Sequence, residues 1–307
     1  MTSGRGAERG QVIFRSSREV TVLIGEDRVI CELRGKLRSR GSNAVVVGDR
    51  VEVLREAEDR GRVESILPRE SALSRRRESG RGRELIIAAN VHQVVAVFAA
   101  RQPKPKFGAL DRLLIAAEGA DLPATIVLNK CDLGLDETVT EALEVYTAIG
   151  YRVLLTSQVT GEGLDELRAV LEGKASVVSG PSGVGKSSLI GPIVGEDLRV
   201  GAVSHANEKG RHTTTAVTWY PLPGGGAVLD TPGFRDYALW ELAPGDLAAC
   251  FPDFRPFLGR CRFGDCLHRE EPDCPVIAAV DAEEIDDRRY YSYLGILDSI
   301  LDQGPVA

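Results

Sequence analysis

At 307 residues the chain exceeds one typical domain, and its 43% apolar and 27% charged content excludes wholesale disorder. No run approaches about 18 consecutive apolar residues and the opening MTSGRGAERG has no signal-peptide core, so a cytoplasmic protein without membrane association is expected. The net charge of −7 argues against a nucleic-acid partner until it is divided: residues 1–83 carry 19 Lys+Arg against 13 Asp+Glu, and the remainder 19 against 32. A basic N-terminal third on an acidic body predicts one unit that meets a polyanion.

Residues 1–18 are polar and Gly/Arg-rich and read as a flexible N-terminus. From 19 to 70 the pattern is all-strand, with β-rich runs at 20–24, 29–33, 45–54 and 62–67 separated by Gly, Asp and Asn turns. Short strands at that density predict an OB-like barrel. Phe14 is the one aromatic before residue 84, so such a barrel would grip RNA phosphates through Arg and Lys rather than stack bases. Residues 71–90, with SRRRESGRGR at their centre, read as an exposed basic linker.

From 91 to 240 strand-like runs alternate with helix-like runs, the grammar of a doubly wound α/β sheet whose ligands bind beyond the carboxyl ends of the strands. The loops at those ends carry nucleotide chemistry. After the run 124–128 come Asn129, Lys130, Cys131 and Asp132, an N-K-x-D pattern. An ionised Asp132 accepts from both N1–H and the N2 amino group of guanine, whereas adenine leaves it desolvated and unpaired. Asn129 can tether the loop, the stem of Lys130 can cover the base, and Ser157 follows the next strand. After the apolar run 175–179 comes GPSGVGKSS: Gly180, Pro181, Ser182, Gly183, Val184, Gly185, Lys186, Ser187 and Ser188. Its glycines let successive N–H groups and a helix N-terminus face phosphate oxygens. Lys186 supplies charge to the β- and γ-phosphates, and the Ser187 hydroxyl ligates magnesium.

Downstream, Gly210 and Arg211 lead into His212, Thr213, Thr214 and Thr215. One of these threonines closes over the γ-phosphate, with Thr214 and Thr215 in the candidate GTP set; entry into a β-run is the competing reading. The run 227–229 ends at Asp230-Thr231-Pro232-Gly233, where Asp230 would hold magnesium and the Gly233 N–H would sense the γ-phosphate. Phe234 stands where Ras-like enzymes place a water-orienting glutamine. His212 is the local candidate for that role, against the alternative of an incidental loop histidine.

Six cysteines without an export signal argue for free thiols or a metal site rather than disulfides. Within 241–307, Cys261, Cys266, His268 and Cys274 offer three thiolates and an imidazole for a structural zinc ion in a mostly helical unit. Cys31, Cys131 and Cys250 lack such neighbours. The tail 282–301 places Tyr290, Tyr293, Leu294, Leu297 and Leu301 at helical spacing, as a core-facing stripe.

Ordinary small GTPases run phosphate loop, threonine, D-x-x-G, N-K-x-D. Here N-K-x-D at 129–132 precedes the phosphate loop at 180–188 and D-x-x-G at 230–233, the same cycle opened at a different bond. With the small barrel, the RHTTT and DTPG segments and the Cys-Cys-His-Cys knuckle, the chain resembles the ribosome small subunit-dependent GTPase A family from about residue 19 onward. That resemblance implies an RNA-binding barrel, a circularly permuted P-loop GTPase core and a zinc domain. It also implies GTP hydrolysis stimulated by the small ribosomal subunit late in its maturation, binding to its rRNA, release after hydrolysis, and a catalytic role for His212. Gln158 stands where the family usually has alanine. GTP/GDP, magnesium and one zinc ion are the expected ligands, and nothing in the sequence demands a dimer. Two other readings remain: an RNA-binding module with GTP as a structural ligand, which Phe234 favours, and a P-loop kinase, which Asn129 and Asp132 oppose.

Overall fold

Short strands whose inward residues are valine close the N-terminal unit into a barrel of five strands, in the computed structural model of residues 6–16, 19–38, 44–76, 84–195, 217–230 and 242–302. The strands are β1 (Glu8–Arg15), β2 (Glu19–Ile24), β3 (Asp27–Leu33), β4 (Arg50–Arg55) and β5 (Arg60–Ile66), joined in the order β1-β2-β3-β5-β4 with β4 returning to β1. Val12, Val20, Val22, Val29, Val51, Val53 and Val63 fill the interior, one face of the two-residue strand repeat. A single helical turn, α1 (Gly35–Arg38), follows β3.

Two sequence expectations change here. The segment read as a flexible N-terminus contains β1, which closes the barrel by pairing with both β2 and β4. Its apolar stretch is only Val12, Ile13 and Phe14, too short beside its Gly/Arg flanks to stand out. The run 45–54 is not one strand either. Val45, Val46 and Val47 are buried in a turn, because the buried Asp49 carboxylate accepts from the Val46 N–H at 2.8 Å and pairs with Arg69 at 2.7 Å, so β4 starts at Arg50.

The basic linker is also more structured than expected. β6 (Ala72–Arg76) and β7 (Glu84–Ala89) form an antiparallel hairpin. It docks the barrel: the Ala89 N–H donates to Val47 O at 3.0 Å, and Asn90 Nδ2 to Gly48 O at 2.8 Å. Gly48, at φ +90°, is required there, since a Cβ would meet Ala89 O at 2.0 Å.

The central sheet has the order β10-β9-β8-β11-β13-β12. Its strands are β8 (Gln93–Ala99), β9 (Ala124–Asn129), β10 (Arg152–Leu155), β11 (Ala175–Ser179), β12 (Thr218–Pro221) and β13 (Ala227–Asp230). All neighbours are parallel except β12 on β13. Every residue of β8 and of β11 is buried, as strands covered on both faces must be. Val94, Ala96 and Phe98 of β8 face one layer with Leu110, Leu113, Leu114 and Leu143, from α2 (Phe107–Glu118) and α3 (Glu137–Ala148). Val95, Val97 and Ala99 face the other, with Leu167, Val170, Leu189 and Ile190, from α4 (Leu164–Leu171) and α5 (Lys186–Val194).

In the C-terminal unit, α6 (Pro275–Asp281), α7 (Asp287–Leu301) and two short 3-10 turns pack around Phe251, Phe254, Tyr293 and Leu297. Ile115 of α2 belongs to the same cluster, so this core continues onto the central domain. Of the expected stripe, Tyr293 and Leu297 are buried and Leu301, in the last turn, is exposed. No helix among the described residues is long and apolar enough to cross a membrane.

Candidate functional site

The phosphate loop leaves the carboxyl end of β11 and runs into α5. Gly180 passes so close to β8 that a Cβ would meet Val97 O at 1.9 Å; at Gly185 one would meet Asn129 Nδ2 at 2.4 Å. Gly185 also has φ +93°, which turns the chain into the helix at Lys186. No acidic residue stands in the first turn of α5, so its N-terminus keeps its positive potential. Lys186 Nζ curls over the loop and donates to Gly180 O at 2.8 Å and Pro181 O at 2.9 Å.

The N-K-x-D segment lies against this loop although 55 residues separate Asn129 from Val184. Asn129, buried at the end of β9, donates from Nδ2 to Val184 O at 2.8 Å and accepts from Thr156 Oγ1 at 3.3 Å. Lys130 takes φ +61° and sends Nζ to Gly183 O at 2.7 Å and to Gln102 O. Asp132 accepts from Ser157 Oγ at 2.6 Å, and that hydroxyl in turn accepts from the Val159 and Thr160 N–H groups. The 129–132 and 156–157 segments and the phosphate loop therefore meet at one end of the sheet.

Cys131 donates its thiol to Thr156 O at 3.0 Å and to Glu162 at 3.3 Å. Burial, then the Glu162 carboxylate, push that thiol up to about 11, so it is a structural donor rather than a nucleophile. Gln158 Nε2 is buried without a hydrogen-bond partner among the described residues, which sequence reading did not anticipate.

Asp230 ends β13 and pairs in register with Val178 of β11, one strand from the phosphate loop. His212, Thr213, Thr214, Thr215, Gly233 and Phe234 lie outside the described residues.

In the C-terminal unit, Cys261, Cys266, His268 and Cys274 bring their ligand atoms within 4.8 Å of one another, a group that could hold a metal ion. His268 Nδ1 lies 3.6, 3.4 and 3.2 Å from the sulfurs of Cys261, Cys266 and Cys274. Cys266 and Cys274 are 3.8 Å apart. A tetrahedron with Zn–S about 2.3 Å and Zn–N about 2.0 Å has edges of roughly 3.5–3.8 Å, so the donor set fits zinc. The knuckle is braced behind the ligands. Glu271 accepts the N–H groups of Leu267 and Arg269 at 2.7 Å, and Tyr290 and Tyr293 donate to His268 O and Leu267 O. Burial opposes ionisation of Glu271, but those N–H groups win and hold it down to about 2.

A parallel sheet with a glycine-rich phosphate loop, and with the N-K-x-D segment placed before that loop in the chain, defines a circularly permuted GTPase. Residues 66–240 match the RsgA GTPase family model. The protein named small ribosomal subunit biogenesis GTPase RsgA in Gemmatimonas aurantiaca is 45% identical over 280 residues, covering 90% of this chain and 91% of that protein. Its namesake in Moorella thermoacetica is 44% identical, covering 88% and 90%. Among solved structures, YjeQ from Thermotoga maritima superposes with TM-score 0.75 at 35% identity, covering 96% of this chain and 99% of that one. YloQ, described as a circularly permuted GTPase, gives 0.72 at 30% identity, with 99% of each chain covered. The chain belongs to the RsgA GTPase family, and so to the GTP-hydrolysing enzymes.

Proposed function

We propose that this chain is a late assembly factor of the small ribosomal subunit, which binds the subunit and its rRNA with GTP, is stimulated by it, and leaves after hydrolysis. The observation that carries the nucleotide half is Asn129 bonded to Val184: the base-recognising segment is fastened to the phosphate cradle, so both are presented to one ligand. Asp132, already accepting from Ser157, is the acceptor for guanine N1–H and N2–H. Residues 180–188 cradle the phosphates. Lys186 swings from the loop carbonyls to the β- and γ-phosphates, and Ser187 and Asp230 hold magnesium, which supplies charge neutralisation at the transferred phosphoryl group. Thr214 and Thr215 close on the γ-phosphate beside Gly233, and His212 orients the attacking water.

The ribosomal half rests on the names of the relatives and on the surplus of basic residues over the N-terminal third, 19 Lys+Arg against 13 Asp+Glu in residues 1–83. The protein is read as a cytoplasmic monomer, with one zinc ion on Cys261, Cys266, His268 and Cys274. Co-sedimentation with purified subunits tests the proposal. Pelleting with small but not large subunits in a non-hydrolysable GTP analogue, and loss of pelleting in GDP, is expected; equal pelleting with both subunits or in both nucleotides contradicts it.

A further inference from the structure

We propose that residues 101–106, the loop between β8 and α2, form a contact for RNA phosphate backbone beside the mouth of the nucleotide site. This rests on the reading of the chain as a factor that binds the small ribosomal subunit. Arg101, Lys104 and Lys106 are all exposed, three cations in six residues, within a stretch 84–307 that overall carries 19 Lys+Arg against 32 Asp+Glu. No acidic residue occurs between Glu84 and Asp111, and Asp111 is buried in a pair with Arg289. None of the three cations has an ion-pair partner among the described residues.

Several exposed arginines elsewhere are ion-paired: Arg34 with Glu64, Arg50 with Glu70, Arg262 with Asp273 and Arg269 with Asp298. The loop also breaks a local rule. Lys106 is the N-cap of α2, whose first turn holds no acidic residue and whose cap makes no side-chain hydrogen bond. A cation at a helix N-terminus opposes the helix dipole, where Asp or Ser would favour it. Like charges gathered against both neighbours and dipole leave a concentrated positive potential, which an external polyanion relieves.

The loop is held to the phosphate loop through one side chain. Lys130 Nζ bonds Gln102 O and, at 2.7 Å, Gly183 O. A Cβ at Gly183 would lie 3.8 Å from Pro103 Cδ, so the two loops are in near contact. Backbone phosphates seated on 101–106 therefore press on the loop that cradles the nucleotide. With no aromatic within 101–106 to stack a base, the recognition is of backbone charge, not sequence.

The test measures affinity of the full chain for purified small subunits, in a non-hydrolysable GTP analogue, across a series of KCl concentrations. The parent is compared with R101Q/K104Q/K106Q and with the charge-conserving R101K/K104R/K106R. The neutral variant is expected to keep parental GTP affinity, intrinsic hydrolysis and melting temperature. It should bind subunits on the order of tenfold more weakly, with the slope of log K against log salt shallower by about 2–3, as for three lost phosphate contacts. The charge-conserving variant should match the parent. Unchanged affinity and slope in the neutral variant overturn the assignment. Weaker binding with an unchanged slope also overturns it and points to a ribosomal protein instead. Failure of the parent itself to bind subunits removes the proposed function, a result separable from failure of the loop alone.

Discussion

Arg289 of α7 and Asp111 of α2, each 2% exposed, form an ion pair across the boundary between the C-terminal unit and the nucleotide-binding domain. Asp253 takes the other side of the guanidinium at 2.9 Å, Tyr146 donates to Asp111 at 2.8 Å, and the Phe251 ring lies 4.6 Å from the guanidinium carbon. Burial works against the charge of Arg289, but Asp111 and Asp253 outweigh it and hold the guanidinium well above its ordinary value. A second bridge, Arg255 to Glu118 at 2.6 Å, joins the same two units nearer the surface.

Replacing Arg289 by Met leaves two buried carboxylates without a cation, and stability should fall by about 3–5 kcal/mol. Replacing Arg255 should cost about 1 kcal/mol or less, because that arginine is half exposed. Chemical denaturation of both variants checks the order. A larger loss at Arg255 would show that the buried pair does not join the units.

Base selection should reside in Asp132. Asp132→Asn replaces an acceptor of two guanine donors by an amide, and GTP affinity should drop roughly tenfold to hundredfold, the worth of hydrogen bonds to a charged group. Xanthosine triphosphate, which presents a carbonyl where guanine has its amino group, should gain affinity. Equilibrium binding of both nucleotides decides, and equal GTP affinity in the variant refutes the assignment.

That the 129–132 segment, the 156–157 segment and the loop 180–188 meet at one end of the sheet was legible because each lies within a few residues of a strand end and the strand-helix alternation fixes which end. Arg289 was not. In RRYYSYL an arginine reads as solvent-facing, and its burial depends on Asp111, 178 residues earlier, and on Asp253, 36 residues earlier. The hairpin β6–β7 was missed for a related reason. Its arginines gave no period, and its end is anchored through Ala89 and Asn90 to Val47 and Gly48, residues some forty positions earlier that local sequence does not bring into view. The four cluster residues were legible from spacing alone, since all fall within 14 residues, whereas the bracing by Tyr290 and Tyr293 appears only after α7 packs over the knuckle.

Zinc should co-purify at one ion per chain and resist gel filtration. Cys274→Ser should lose it and unfold the C-terminal unit, because the four ligand atoms converge within 4.8 Å of one another and binding of a structural metal is folding free energy. Since thiolates must be deprotonated to bind, retention of the metal should fail as pH falls, not as it rises. Atomic absorption across a pH series reads this directly. A folded C-terminal unit without metal contradicts it.

Asp286 caps α7, accepting from the Arg288 N–H at 2.9 Å and pairing with its guanidinium at 3.1 Å. Burial opposes its charge, but the bonds from Arg288 prevail and lower its value. A carboxyl lowered in the folded state stabilises above its unfolded value and loses that contribution as pH falls through the folded one. Asp286→Ala should therefore cost about 1 kcal/mol at neutral pH, with the gap to the parent closing below about pH 4. A gap independent of pH would mean the carboxylate does not act through its charge.

In the proposed function one permuted site binds and hydrolyses GTP and is switched on by the small ribosomal subunit. Steady-state hydrolysis with and without purified small subunits, with large subunits and Lys186→Ala as controls, measures it most directly. A slow intrinsic rate, strong stimulation by small subunits only, and no activity in Lys186→Ala is the predicted result. GTP bound tightly but hydrolysed at the same rate with either subunit or none would contradict it.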